Sequence, residues 1–161
     1  MIRHGITQAV LAAFEGKHIS KICSNGYFVN LDNHCAHFVS HVLGFDFGYT
    51  CRQITGKGQT GANVRVHEVF GRCPQVGKWA VHSNPGAHLV FVTRASHVDL
   101  NGKRMANVPQ KHVGICLNGR IWHYSNRLHK VLSQEPGQFM EYFRKNYLGA
   151  DITLFYGLFP V

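Results

Sequence analysis

One cysteine and two histidines on a hairpin carry the chemistry this sequence allows. Cys35 stands in LDNHCAHFVSHVLG, residues 31–44, after turn-prone residues and at the head of a short apolar run. A helix over about Asn33 to Leu43, stopped by Gly44, puts the thiol in its first turn, with Asp32 or Asn33 as the N-cap. Unpaired backbone N–H groups and the positive end of the helix dipole favour a thiolate there, and a nearby histidine would favour it further. The same N–H groups can receive an oxyanion, so the position suits a nucleophile that attacks a carbonyl. A buried structural cysteine is the competing reading.

Three histidines share the stretch. His34, His37 and His41 form a stripe off the apolar face formed by Ala36, Phe38, Val39, Val42 and Leu43. His37 and His41, at i and i+4, supply only two metal ligands, with no HExxH and no carboxylate on the stripe. A polar face turned to solvent explains them more simply, and no metal or other cofactor is expected.

The second constellation is KHVGICLNGRIWHYSN, residues 111–126. Asn118-Gly119 between apolar runs signals a type I′ hairpin, with Leu117 opposite Arg120. Counting outward pairs Cys116 with Ile121, Ile115 with Trp122, Gly114 with His123, Val113 with Tyr124 and His112 with Ser125. Cross-strand partners share a face, which puts His112, Gly114, Cys116, Ile121, His123 and Ser125 together. His112 and His123 become diagonal neighbours, with α-carbons about 7–8 Å apart. Two histidines beside a glycine notch read as an assembled site; the alternative is a pair of half-exposed residues without a role.

The positioning elements follow from pattern. Thr7 caps a first helix, TQAVLAAFEGKH, residues 7–18, and residues 45–63, rich in Gly and Thr, read as a loop. Asn63 caps a short helix through VRVHEVF, residues 64–70, where alternation also allows a strand. Strand character then dominates: AHLVFVTRA (87–95), SHVDLNGKRMANV (96–108) with its own Asn-Gly pair, and the histidine hairpin. A helix through FMEYFRKNYL (139–148) and a strand ITLFYGLF (152–159) follow. Helices first and an antiparallel meander after them make an α+β domain, with N-terminal helices packed on a central sheet.

The 161 residues suit a single domain, 1–161, and 45% hydrophobic content supports a real core. The formal charge of +9 favours an anionic partner such as an acidic wall polymer. Basic residues are scattered without a block, which argues against a nucleic-acid partner. The N-terminal segment lacks the features of a signal peptide, and its longest apolar run, AVLAAF, is too short for membrane insertion. Five cysteines (Cys23, Cys35, Cys51, Cys73 and Cys116) without CxxC spacing form neither a disulfide framework nor a zinc ribbon; a Cys51–Cys73 bridge stays open.

Taken in order, three segments resemble a known pattern. NHCAHFVSHVLG resembles the "DCSGFV" nucleophile helix of NlpC-type cysteine peptidases and the related CHAP amidases. NPGAHLVFV, residues 84–92, resembles their "PGDLVFF" strand, and KHVGICLNGRIWHYSN their "HVGIYLGNGKVIHAS" hairpin. The matching region spans about residues 27–126. The resemblance implies a papain-like NlpC-type fold, with Cys35 as nucleophile, His112 as base and His123 as the group that orients His112. Asn126 competes for that last part. Tyr27, His34 and Asn126 are further candidates for oxyanion or substrate contacts. His34 replaces the family's Asp, His37 its Gly, and Ala87-His88 the single Asp of the strand. The implied activity is hydrolysis of amide bonds in peptidoglycan stem peptides, without cofactor or metal. A small amidase without a signal peptide resembles the antibacterial effectors injected by type VI secretion, which act in the target-cell periplasm and are countered by a cognate immunity protein. A non-enzymatic basic binding module with a structural cysteine, or a related thiol acyltransferase or lipid hydrolase, are the alternatives.

Overall fold

The computed structural model describes residues 5–53, 61–79, 86–149 and 151–160. Residues 54–60 of the expected loop and the Asn84-Pro85 start of the PG-strand lie outside these. The helices are α1 (Gln8–Ala12), α2 (Cys35–Leu43), α3 (Val66–Arg72) and α4 (Pro136–Tyr147). A central sheet combines β3 (Val76–Lys78), β4 (His88–Arg94), β7 (Lys111–Leu117), β8 (Arg120–Ser125), β9 (Lys130–Gln134) and β10 (Ile152–Gly157). Its order is β3-β10-β4-β7-β8-β9, antiparallel at each described pairing. Two small ribbons flank it: β1 (Cys51–Arg52) with β2 (Ala62–Asn63), and β5 (Val98–Asp99) with β6 (Arg104–Met105). The molecule is thus α+β, and among the described residues no helix is long and apolar enough to cross a membrane.

The order is not a simple meander, because β10 inserts between β3 and β4. Both faces of the sheet are covered. Leu89, Phe91, Val113, Ile115, Trp122 and Tyr124 pack with Phe38, Val39 and Leu43 of α2. On the other face Val90, Val92, Cys116 and Ile121 pack with Phe139 and Phe143 of α4. Burial on both sides explains why β4 and β7 read as apolar runs rather than as alternating strands.

The first helix is shorter than its pattern suggests. Thr7 does cap it, accepting from the Val10 N–H at 3.2 Å, but α1 ends at Ala12. Gly16 takes a left-handed φ of 77° and donates its N–H to Val131 of β9 at 2.9 Å, which turns the chain toward the sheet. The short helix expected over residues 64–70 forms as Val66–Arg72, a helix rather than a strand, with Arg65 as its N-cap, while Asn63 belongs to β2.

The hairpin forms with Asn118 at φ 50° and Gly119 at φ 72°, as a type I′ turn requires. Leu117–Arg120, Cys116–Ile121 and Ile115–Trp122 pair as counted. The outer pairs expected at Gly114, Val113 and His112 are not among the described ladder pairs. Gly114 instead runs close under β8: a Cβ there would lie 2.9 Å from the Trp122 carbonyl oxygen and 3.1 Å from the His123 Cβ. A strand carbonyl cannot yield as a flexible side chain can. Gly114→Ala should therefore destabilise the fold by about 1–3 kcal/mol, measured as a lower urea midpoint at unchanged slope; an unaltered midpoint would show that the strands have room to part.

Candidate active site

Cys35 is the first residue of α2, and three asparagines fix that end of the helix. The Cys35 N–H donates to Asn33 Oδ1 at 3.0 Å, and the His34 N–H donates to Asn126 Oδ1 at 2.9 Å. Asn63 Nδ2 donates to the Asn33 carbonyl at 2.8 Å. His34 occupies the cap position without a side-chain cap bond, so Asn33 supplies the capping oxygen one residue earlier than a standard N-cap. Asn126 therefore holds the backbone beside Cys35 rather than the imidazole of His112.

The thiol is 1% exposed. Burial pushes it up to about 11, outweighing the N–H groups of Val113, Ala36 and Cys35 that point toward the sulfur and the charge of Lys111. The helix start alone does not make a resting thiolate. Lys111 was not singled out from sequence, yet it lines the same cavity as Cys35 and is the cation beside it. Its Nζ is held by Asn107 Oδ1 and the Val108 carbonyl.

The two histidines meet. His112 Nε2 lies 2.9 Å from His123 Nδ1, and His123 Nε2 lies 2.7 Å from Gln134 Oε1. An amide oxygen only accepts, so His123 carries its proton on Nε2 and offers Nδ1 as an acceptor. His112 then donates from Nε2, which leaves its Nδ1 with a free lone pair. Phe143, with ring centroids 4.6 Å from His112, and Phe139 wall the pair in. Burial lowers both imidazoles, His123 to about 4. Gln134 escaped sequence reading because β9 was not recognised; it pairs with Ile121 and so falls on the face of His123.

Cys35 and the histidine pair belong to opposite layers, the thiol in the α2 layer and the imidazoles against α4. Among the described residues no hydrogen bond joins Cys35 to either ring. They are nonetheless close along β7, because Val113, whose N–H faces the sulfur, directly follows His112. A cavity of about 290 Å³ reaches Cys35 between Asn33, Arg65 and Lys111. A second, of about 230 Å³, reaches His112 and His123, and both are lined by Asn33 and Pro109.

The remaining expectations fare differently. Tyr27 and His34 line neither cavity. The Tyr27 hydroxyl donates to Asp32, and its ring packs on His34 and His37. The histidine stripe does not face solvent: His34 and His37 are buried and His41 is half-buried. Behind α2, His37 and His41 lie with Cys23 and Cys51, the one described group of side chains suited to an ion. Cys73 is remote from these, its thiol donating to the Val69 carbonyl, so the sulfur beside Cys51 is that of Cys23. No family model, curated protein or solved structure matches the chain.

The buried histidines make stability depend on pH. A histidine whose folded pKa is depressed binds its proton more readily when unfolded, so its contribution is intact above about pH 6.5 and declines as pH falls below it. His123, lowered to about 4, should alone remove about 2 kcal/mol by pH 5. Urea midpoints taken from pH 7.5 to 5 should fall steadily, whereas a flat profile would mean that the rings titrate alike in the folded and unfolded chains.

Proposed function

We propose that this protein is a cysteine-dependent amidase of papain-like, NlpC-type architecture that hydrolyses amide bonds in peptidoglycan stem peptides. The observation that supports the reading best is the relay on β7 and β8. Gln134 and His123 leave His112 with a free Nδ1, one residue from the Val113 N–H that faces the Cys35 sulfur.

In this reaction His112 Nδ1 takes the thiol proton and Cys35 Sγ attacks the carbonyl carbon, forming a C–S bond. The oxyanion is held by N–H groups at the start of α2, the Cys35 N–H among them once it turns from Asn33 Oδ1. His112 returns the proton to the nitrogen as the C–N bond breaks, and the amine leaves. Water then attacks the thioester, giving the free acid and restoring the thiol. The proton passes by way of a water at Asn33 and Pro109, which line both cavities, rather than by direct contact of the two side chains. Lys111 and Arg65 at the cavity wall and the overall charge of +9 suit an anionic wall polymer. Delivery as an antibacterial effector, with an immunity protein that plugs the cavity, accords with this substrate.

The burial of Cys35 favours one rival, a non-enzymatic module with a structural thiol. Periplasmic expression in a Gram-negative host, with muropeptides resolved by mass, separates the two. Wild type should release cut stem peptides and lyse cells. Cys35→Ala and His112→Asn should lower cleavage at least about 10³-fold, and His123→Asn about 10²-fold. Intact muropeptides with folded wild-type protein in the periplasm would refute the peptidoglycan reading.

A further inference from the structure

We propose that Cys23, His37, His41 and Cys51 form a tetrahedral zinc site that staples α2 to the segments on either side of it. Their ligating atoms all lie within 4.8 Å of one another. Cys23 Sγ and Cys51 Sγ are 3.6 Å apart, Cys51 Sγ and His41 Nε2 3.7 Å, and His37 Nε2 and His41 Nε2 3.0 Å. Zinc binds thiolate at about 2.3 Å and imidazole at about 2.0–2.1 Å. The edges of such a tetrahedron are then about 3.8 Å between sulfurs, about 3.6 Å from sulfur to nitrogen and about 3.3 Å between nitrogens. The observed spacings fall close to all three. They are far from a disulfide, whose sulfurs lie about 2.05 Å apart.

The surroundings orient the ligands. Val29 offers His34 Nε2 a carbonyl at 2.8 Å, so that nitrogen carries a proton. The Asn63 amide nitrogen, 3.2 Å from His34 Nδ1, marks Nδ1 as an acceptor. His37 Nδ1, 2.9 Å from the same atom, must therefore be the donor. That leaves His37 Nε2 as a bare lone pair aimed at His41 and the two sulfurs. A hydrogen-bond partner on the far ring nitrogen is the usual arrangement for a metal-bound histidine. Asn25 Nδ2 lies 3.2 Å from Cys51 Sγ, a donor that supports a thiolate. A cavity of about 420 Å³ lined by Asn25, Ser40 and His41 supplies an entry path.

Charge and chemistry agree with this assignment. Binding displaces a proton from each thiol, and two thiolates with two neutral imidazoles make an overall neutral site around a divalent ion. The ligands come from three places: Cys23 after the turn at Ile19–Lys21, His37 and His41 one turn apart on α2, and Cys51 on β1. An ion here would tie together segments that otherwise share few strands.

Metal analysis of the untagged full-length protein, purified under reducing conditions, tests the site. About one zinc per chain is expected, falling several-fold in Cys23→Ser and Cys51→Ser, with Cys116→Ser unchanged. Cobalt replacement in the wild type reads the ligand set even if those variants fail to fold. It should give the intense visible bands of a tetrahedral ion with near-ultraviolet thiolate charge transfer, together with a rise in melting temperature over apo-protein. Folded, reduced wild type that takes up neither metal, a pale octahedral cobalt spectrum, or a Cys23–Cys51 disulfide that persists in reductant would overturn the proposal.

Discussion

Three imidazoles along α2, those of His34, His37 and His41, set the constraint around which the rest is arranged. A buried polar group left unpaired costs about 1–3 kcal/mol, so burying this stripe commits the neighbouring chain to satisfy it. Val29 and Asn63 meet His34, His34 meets His37, and His37 meets His41. The segment from Cys23 to Val29 must therefore run along the back of α2, and the ribbon of β1 and β2 must close over its side. The front of the same helix is an ordinary apolar face on the sheet. Because both sides are committed, Cys35 at its head has little freedom to move.

That rigidity has a chemical consequence. Asn33, Asn63 and Asn126 fix the helix start, while Gln134 and His123 fix the imidazole of His112 from the other layer. The sheet itself, at His112 and Val113, is the partition between thiol and imidazole. A thiol and an imidazole held apart this way stay neutral at rest, since burial disfavours both the thiolate and the imidazolium. Proton exchange between them then needs a water at Asn33 and Pro109, which line both cavities.

Much of this was legible in the sequence where local chemistry decides structure. Asn118-Gly119 specifies a turn by its backbone needs, and from it the pairing through Ile115–Trp122 and the meeting of His112 with His123 follow. Gly44 ends α2 in a left-handed conformation, as its lack of a Cβ allows. What stayed hidden depends on distant segments. The stripe looked solvent-facing because its partners, Val29, Cys23 and Cys51, are remote in sequence and carry no motif. β10 inserts between β3 and β4, and β9 brings Gln134 to His123, through long-range pairing that no local signal announces. Layer membership was also hidden: hairpin counting shows which residues share a face, but not whether α2 or α4 covers it.

The proposed hydrolysis requires that Cys35 become covalently acylated during turnover. Incubation of purified protein with stem-peptide substrate, rapid acid quench and intact-mass analysis with peptide mapping tests it most directly. A thioester-linked peptide fragment is expected on Cys35, removed by hydroxylamine and absent from Cys35→Ala. Substrate cleavage that proceeds unchanged in Cys35→Ala, or an adduct on a different cysteine, would contradict it.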